Sequence, residues 1–104
     1  MLYKIDFTVE YDAEMGQQGL FTIWAEEAGA ALGAKEAGVV VDLWKVVGER
    51  KVLAIVDVES PDMLDQIMFD LPIMQKMGQY VQADVKSLRR YEDFAADVKE
   101  RLGR

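Results

Sequence analysis

The hydrophobic period switches repeatedly along this chain, and the order of the switches restricts the topology more than composition does. Residues 2 to 10 alternate with period two. Tyr3, Ile5, Phe7 and Val9 share one face and Lys4, Asp6, Thr8 and Glu10 the other, which predicts a strand. From about Glu14 to Glu36 the period becomes helical, with Gly38 as the stop. "VVVDLWKVVG" predicts a second strand, "GERK" over residues 48 to 51 a turn, and "VLAIVDVE" a third strand, so the two form a hairpin. Ser60 then caps a second helix, with Pro61 in its favoured first turn, running to about Phe69. "DLP" breaks that helix, because the residue before a proline resists helical geometry. Met74 to Gly78 fits neither period. "YVQADVKSL" alternates again as a fourth strand, and "YEDFAADVKERLG" predicts a terminal helix.

The order β-α-β-β-α-β is the split βαβ arrangement of the ferredoxin-like α+β fold. It implies a four-stranded antiparallel sheet with helices on one face, here with a C-terminal helix added. At 104 residues the chain bears one core. Residues 1 to 88 make the ferredoxin-like domain and 89 to 104 its helical extension, with no linkers or repeats. Strands two and three are apolar on both faces: Val40, Trp44 and Val46 against Val41, Leu43 and Val47, then Val52, Ala54 and Val56 against Leu53 and Ile55. A sheet covered on one side only should alternate apolar with polar. The second face is therefore expected to be covered by another copy, in a homo-oligomer.

Composition removes several functions. The formal charge of −7, with pI about 4.5, leaves no basic footprint for nucleic acid and repels anionic membranes. The start "MLYKIDFTVE" has no apolar h-region, which argues against a signal peptide, and no run approaches the roughly 20 apolar residues of a membrane span. The absence of Cys excludes disulfides, thiolate metal sites and Cys nucleophiles, and fits a cytoplasmic setting. The absence of His removes the commonest base near neutral pH and the commonest metal ligand. Acid–base chemistry must rest on Asp, Glu, Lys or Tyr.

One carboxylate stands out. In "LFTIWAEEAGAAL", projection at about 100° per residue puts Leu20, Phe21, Trp24, Ala28, Ala31 and Leu32 in the apolar stripe. Glu26 falls on the solvated side, whereas Glu27 lies between Leu20 and Ile23 at the edge of the apolar sector. Two readings fit. Glu27 snorkels from the rim of the helix–sheet contact or pairs with a Lys. Alternatively it is held in a low-dielectric cavity, its pKa raised towards neutrality and ready to move a proton. The remaining carboxylates have plainer accounts. Asp57 and Glu59 alternate like solvent-facing charges, and Asp62 and Asp65 suit the start of a helix. Adjacent residues on a helix point about 100° apart, so Glu26 and Glu27 do not converge on one ion. The methionines at 63, 68, 74 and 77 read as adaptable packing. No metal is implied.

"LWKVVG", "VDVES" and "LP", in that order, with the opening "ML", Tyr3 and the strand ending "TV", resemble the muconolactone Δ-isomerase family. The likeness runs from Met1 to about Leu88. It implies a small cofactor-free enzyme of ferredoxin-like fold, assembled as dimers within decamers, that moves a double bond within a butenolide ring. In this register Glu27 falls on the glutamate regarded as the family's proton carrier. A base removes the proton at the ring carbon bearing the side chain, giving a dienolate, and a proton returns beside the carbonyl. One desolvated carboxylate serves both steps if it reaches both carbons on one ring face. The resemblance also implies a donor for the oxyanion and a cation for the substrate carboxylate.

Lys45 occupies the place of a family cation and is a candidate for holding that carboxylate, with a solvated or interface charge as the plain alternative. Trp44 is a candidate pocket wall as well as a core residue. Tyr3 is a candidate oxyanion donor or a packing aromatic. Asp42 is a candidate for binding a substrate hydroxyl or assisting Glu27, or else a partner for a Lys. The chain departs from the family where Lys4 and Asp42 replace histidines, Val40 replaces an aromatic, and Ile73, Met74, Gln75 and Lys76 replace an aromatic-rich stretch. Tyr91, Phe94 and Val98, on a charged helix, replace the family's tail. The function implied is a cofactor-independent isomerase acting on a small lactone or cyclic enone of aromatic catabolism. Two alternatives are a halide-eliminating relative and a non-catalytic oligomeric ligand-binding module.

Overall fold

The computed structural model describes residues 1–104. Its elements are β1 (Leu2–Val9), α1 (Gly16–Glu36), β2 (Val40–Lys45), β3 (Lys51–Asp57), α2 (Pro61–Asp70), α3 (Pro72–Met77), a 3-10 turn (Gly78–Tyr80), β4 (Val81–Leu88) and α4 (Tyr91–Leu102). The four strands form one antiparallel sheet in the order β2-β3-β1-β4. This is the ferredoxin-like arrangement read from the sequence, and α4 follows it.

Local chemistry sets most of the boundaries. Ser60 caps α2 by accepting from the Met63 N–H at 3.1 Å, with Pro61 opening the helix. Leu71, held extended before Pro72, ends α2. Pro72 then opens α3, so the ambiguous stretch around Met74 is a short helix and a 3-10 turn. The strand-two expectation runs too far. β2 ends at Lys45, and Val46 and Val47 belong to the hairpin loop, which turns through Gly48 at φ +83°.

The expected alternation along β2 also needs correction. Val40 pairs with Val56 and Asp42 with Ile55, leaving Val41 as an extra residue in a β-bulge. Beyond the bulge, Leu43 pairs with Ala54 and Trp44 with Leu53. Val40 thus shares the helix-facing side with Leu43 rather than with Trp44. Asp42 and Trp44 share the outer side with Leu53 and Ile55.

Two clusters make the core. Ile5, Ala54, Val56, Val58 and Leu64 pack where α2 crosses β1 and β3. Val9, Leu20, Ile73, Met77 and Val81 pack where α1 and α3 close the other end of β1 and β4. The inward line of α1 is Leu20, Ile23, Trp24, Glu27, Ala31 and Ala34, all buried or half-buried. This corrects the projected stripe: Phe21 and Leu32 are 56% and 58% exposed, and Glu27 lies mid-line rather than at the edge.

The rotation of α1 has a measurable consequence. Leu20, 1% exposed among Ile73 and Met77, should lose about 2–5 kcal/mol when cut to Ala, through lost transfer energy and an unfilled void. Leu32→Ala should fall within about 0.5 kcal/mol of wild type. Denaturant unfolding of the two variants checks this, and equal losses would contradict the observed rotation.

Candidate active site

α1 packs on α3 and on β2, and between the helix and the sheet it leaves a cavity of about 290 Å³. Four alanines explain the space. Ala28, Ala30, Ala31 and Ala34 line it where longer side chains would fill it. Opposite stand Ile5, Phe7, Val52, Ala54 and Val56 of the sheet, with Leu64, Ile67, Met68 and Ile73 from α2 and α3. Of the lining residues only Glu27 and Lys45 carry charge.

Glu27 projects from the middle of α1 into this apolar space. Both of its carboxylate oxygens are shielded from solvent, and neither has a hydrogen-bond partner. Burial disfavours the charged form and pushes the pKa from 4.5 up to about 7. The Ile73 N–H, in the first turn of α3, opposes that shift without reaching the geometry of a hydrogen bond. An uncompensated buried carboxylate is costly to a fold and poised to exchange a proton near neutral pH. Neighbouring Glu26 behaves differently, pairing at the surface with Lys76 of α3.

The other candidates divide into two groups. Lys45 lines the same cavity as Glu27 from β2, and Trp44 borders it at that strand with its side chain on the outer side of the sheet. The Lys45 ammonium is exposed and donates to the Val46 carbonyl at 2.8 Å. Tyr3 and Asp42 lie outside the cavity. Tyr3 packs against the Ile5 cluster, its hydroxyl 3.7 Å from the Met1 sulfur. Asp42 accepts from Lys35 Nζ at 3.0 Å and from its own strand's Leu43 N–H at 2.9 Å. The Lys35 hydrogen bond foremost holds its pKa below the usual carboxylate range. No three carboxylates converge in a way that could hold a metal ion. Sequence reasoning missed Trp24, Ile67, Met68 and Ile73 as cavity walls. Trp24, one turn before Glu27, carried a readable signal; Ile73 did not, because it belongs to the helix that the pattern left unassigned.

Fold and cavity define a class: a small ferredoxin-like protein with one unpaired carboxyl group enclosed by apolar walls between helix and sheet. Residues 1–93 match the profile of the muconolactone delta-isomerase family, and the chain belongs to that family. Muconolactone Delta-isomerase 2 of Acinetobacter lwoffii is 25% identical over 91 residues, which cover 88% of this chain and 91% of that protein. The crystal structure of a muconolactone isomerase superposes with a TM-score of 0.73 at 24% identity, covering 86% of this chain and 90% of that one. A 5-chloro-2-hydroxyhydroquinone dehydrochlorinase of Burkholderia phenoliruptrix, solved with 2,5-dihydroxybenzoquinone, shares the fold at TM-score 0.60 and 13% identity, covering 86% of this chain and 95% of that one.

The raised pKa fixes the sign of a stability effect. Folded Glu27 holds its proton more tightly than the unfolded chain does, so stability falls as pH rises from about 4.5 to about 7. Glu27→Gln removes that loss. Its melting temperature should exceed that of wild type at pH 8, and the gap should shrink as the pH falls below 5. A gap independent of pH would contradict the buried, titrating carboxyl group.

Proposed function

We propose that this chain is a cofactor-independent isomerase that shifts a carbon–carbon double bond within a small lactone or cyclic enone, with Glu27 as base and then acid. The observation that carries the reading is the pair of solvent-shielded, unpartnered Glu27 oxygens facing an apolar cavity. Membership of the muconolactone delta-isomerase family supports the same reaction class.

The steps follow from what the cavity offers. Ionised Glu27 takes a proton from the ring carbon bearing the side chain. The C–H electron pair moves into the ring and displaces π electrons onto the carbonyl oxygen, giving a dienolate. The new carboxylic acid then returns the proton to the carbon beside the carbonyl, and the electron pair on oxygen collapses to restore the C=O. The double bond has moved, the atoms balance, and Glu27 regains its charge. A dry cavity helps at both stages: a desolvated carboxylate is a stronger base, and the dienolate meets no water. A base with pKa near the working pH carries a proton both ways with little loss.

Lys45 at the mouth of the cavity is the cation available to a substrate carboxylate, after releasing the Val46 carbonyl. Trp24 of α1 provides a wall for the ring, whereas the Trp44 side chain belongs to the outer side of the sheet. Tyr3 and Asp42 have no part in this reading, since both lie outside the cavity. The enzyme works as a homo-oligomer on a small molecule in the cytoplasm, without metal or cofactor.

The test is NMR of the protein with muconolactone in D2O, comparing wild type with Glu27→Ala. Wild type should exchange ring protons and move the double bond, faster as pH rises through about 7 because the carboxylate is the starting form. Glu27→Ala should lose at least a factor of about 10². Exchange that survives in Glu27→Ala would contradict the proposed role.

A further inference from the structure

The cavity beside Glu27 is longer than a small lactone needs. On α1 its wall runs from Trp24 through Glu27 to Ala34, about 15 Å along the helix axis. On the sheet it runs from the Lys45–Val52 pair to the Val40–Val56 pair, about 13 Å along β3. The two ends differ. Trp24 packs with the cluster of Val9 and Ile73, and the Val9 N–H donates to the Arg50 carbonyl at 2.8 Å, beside the hairpin that carries Lys45. Ala34 marks the other end, where its carbonyl accepts from the Val39 N–H at 3.0 Å, just before Val40.

Beyond Glu27 the cavity wall carries no polar side chain. Glu27, Ala31 and Ala34 recur at i, i+4 and i+7, so all three point into the same space. Across from the two alanines stand Val56 of β3 with Leu64 and Met68 of α2. The resulting chamber is dry and apolar. A charged or hydrogen-bonding group placed there would lose water and gain no partner. Apolar cavities of about 150 Å³, roughly half of the 290 Å³ here, hold benzene-sized guests. Left unfilled, such a void costs stability in proportion to its volume. Met68, unbranched and adaptable, gives the far wall some freedom to fit what enters.

A lactone ring at Glu27, with its acid side chain reaching Lys45, occupies only the nearer part of this space. We infer that the substrate carries on its ring an uncharged alkyl or aryl group of about benzene size, seated between Ala31 and Ala34 of α1 and Leu64 and Met68 of α2. The inference rests on the isomerase reading for the reacting ring, whereas the chamber rests on packing alone. Ala31 and Ala34 then set specificity, because bulk at either position excludes the substituent.

Calorimetric binding to Glu27→Gln, which separates binding from turnover, tests this. The probes are carboxymethyl butenolides bearing hydrogen, ethyl or butyl on the ring carbon between the two that exchange protons. Affinity should rise about fourfold for each carbon added, on the order of 10²-fold for butyl over hydrogen. Adding Ala31→Leu or Ala34→Leu to the same protein should flatten that ratio. The readout is the ratio, so a change in the parent ring's own affinity cancels. If a filled variant fails to fold, the series on Glu27→Gln still decides the matter. No binding, or equal affinities for hydrogen and butyl, would overturn the inference, as would an undiminished ratio in both filled variants. Deuterium exchange of the same compounds by wild type separates this inference from the reading beneath it. Exchange with no gain from the substituent would overturn the chamber's role and leave the isomerase. A gain with no exchange would keep the chamber as a binding site and remove the isomerase.

Discussion

The burial of one carboxyl group without a partner governs the rest of this structure. Glu27 sits mid-helix with both oxygens shielded from solvent and no hydrogen bond to either. Such a group keeps its charge only at a cost, and the structure meets that cost by raising the pKa to about 7 rather than by supplying a cation. The nearby ammonium groups are engaged elsewhere: Lys76 with Glu26, Lys35 with Asp42, and Lys45 with the Val46 carbonyl. A salt bridge to Glu27 would stabilise the fold and fix the carboxylate as an ion. Leaving it alone keeps the proton mobile.

The cavity that makes this possible depends on how α1 is held. Leu20 anchors its first half against Ile73, Met77 and Val81. The Lys35–Asp42 pair ties its last turn to β2 at the surface. Between these ties the helix turns alanines towards the sheet, and the helix–sheet gap stays open instead of closing into core. The β-bulge at Val41 contributes from the other side, because it sets Val40 and Leu43 together on the cavity wall and turns Trp44 and Asp42 to the outer side. Stability and site are linked here through packing, since any larger residue at the alanine positions would fill the cavity that Glu27 faces.

Much of this was legible in the sequence. Alternation in β1 and β4, the Ser60–Pro61 cap and the Leu71–Pro72 break placed nearly every element, because each rests on local backbone chemistry. The family likeness singled out Glu27, and the structure puts it in the cavity with Lys45, while Trp44 borders that cavity from the outer side of the sheet. What failed to show depends on tertiary geometry. An ideal wheel put Phe21 and Leu32 inward, but the anchor at Leu20 rotates α1 so that Glu27 becomes central. Simple alternation joined Trp44 to Val40, and a one-residue bulge separated them, which no period-two pattern reveals. Tyr3 and Asp42 looked like site residues by position in a motif, whereas distance from the cavity is set by strand register.

The central claim is the protonation state of Glu27, and the most direct measurement is its titration. With the side-chain carboxyls labelled with ¹³C, NMR across pH 3 to 9 on wild type and Glu27→Gln would follow every glutamate separately. One resonance, absent from Glu27→Gln, should titrate with a midpoint near 7, well above the ordinary glutamate value of about 4.3. If every glutamate resonance instead titrates in the ordinary range, Glu27 is solvated or paired, and the account of a dry, proton-carrying cavity is wrong.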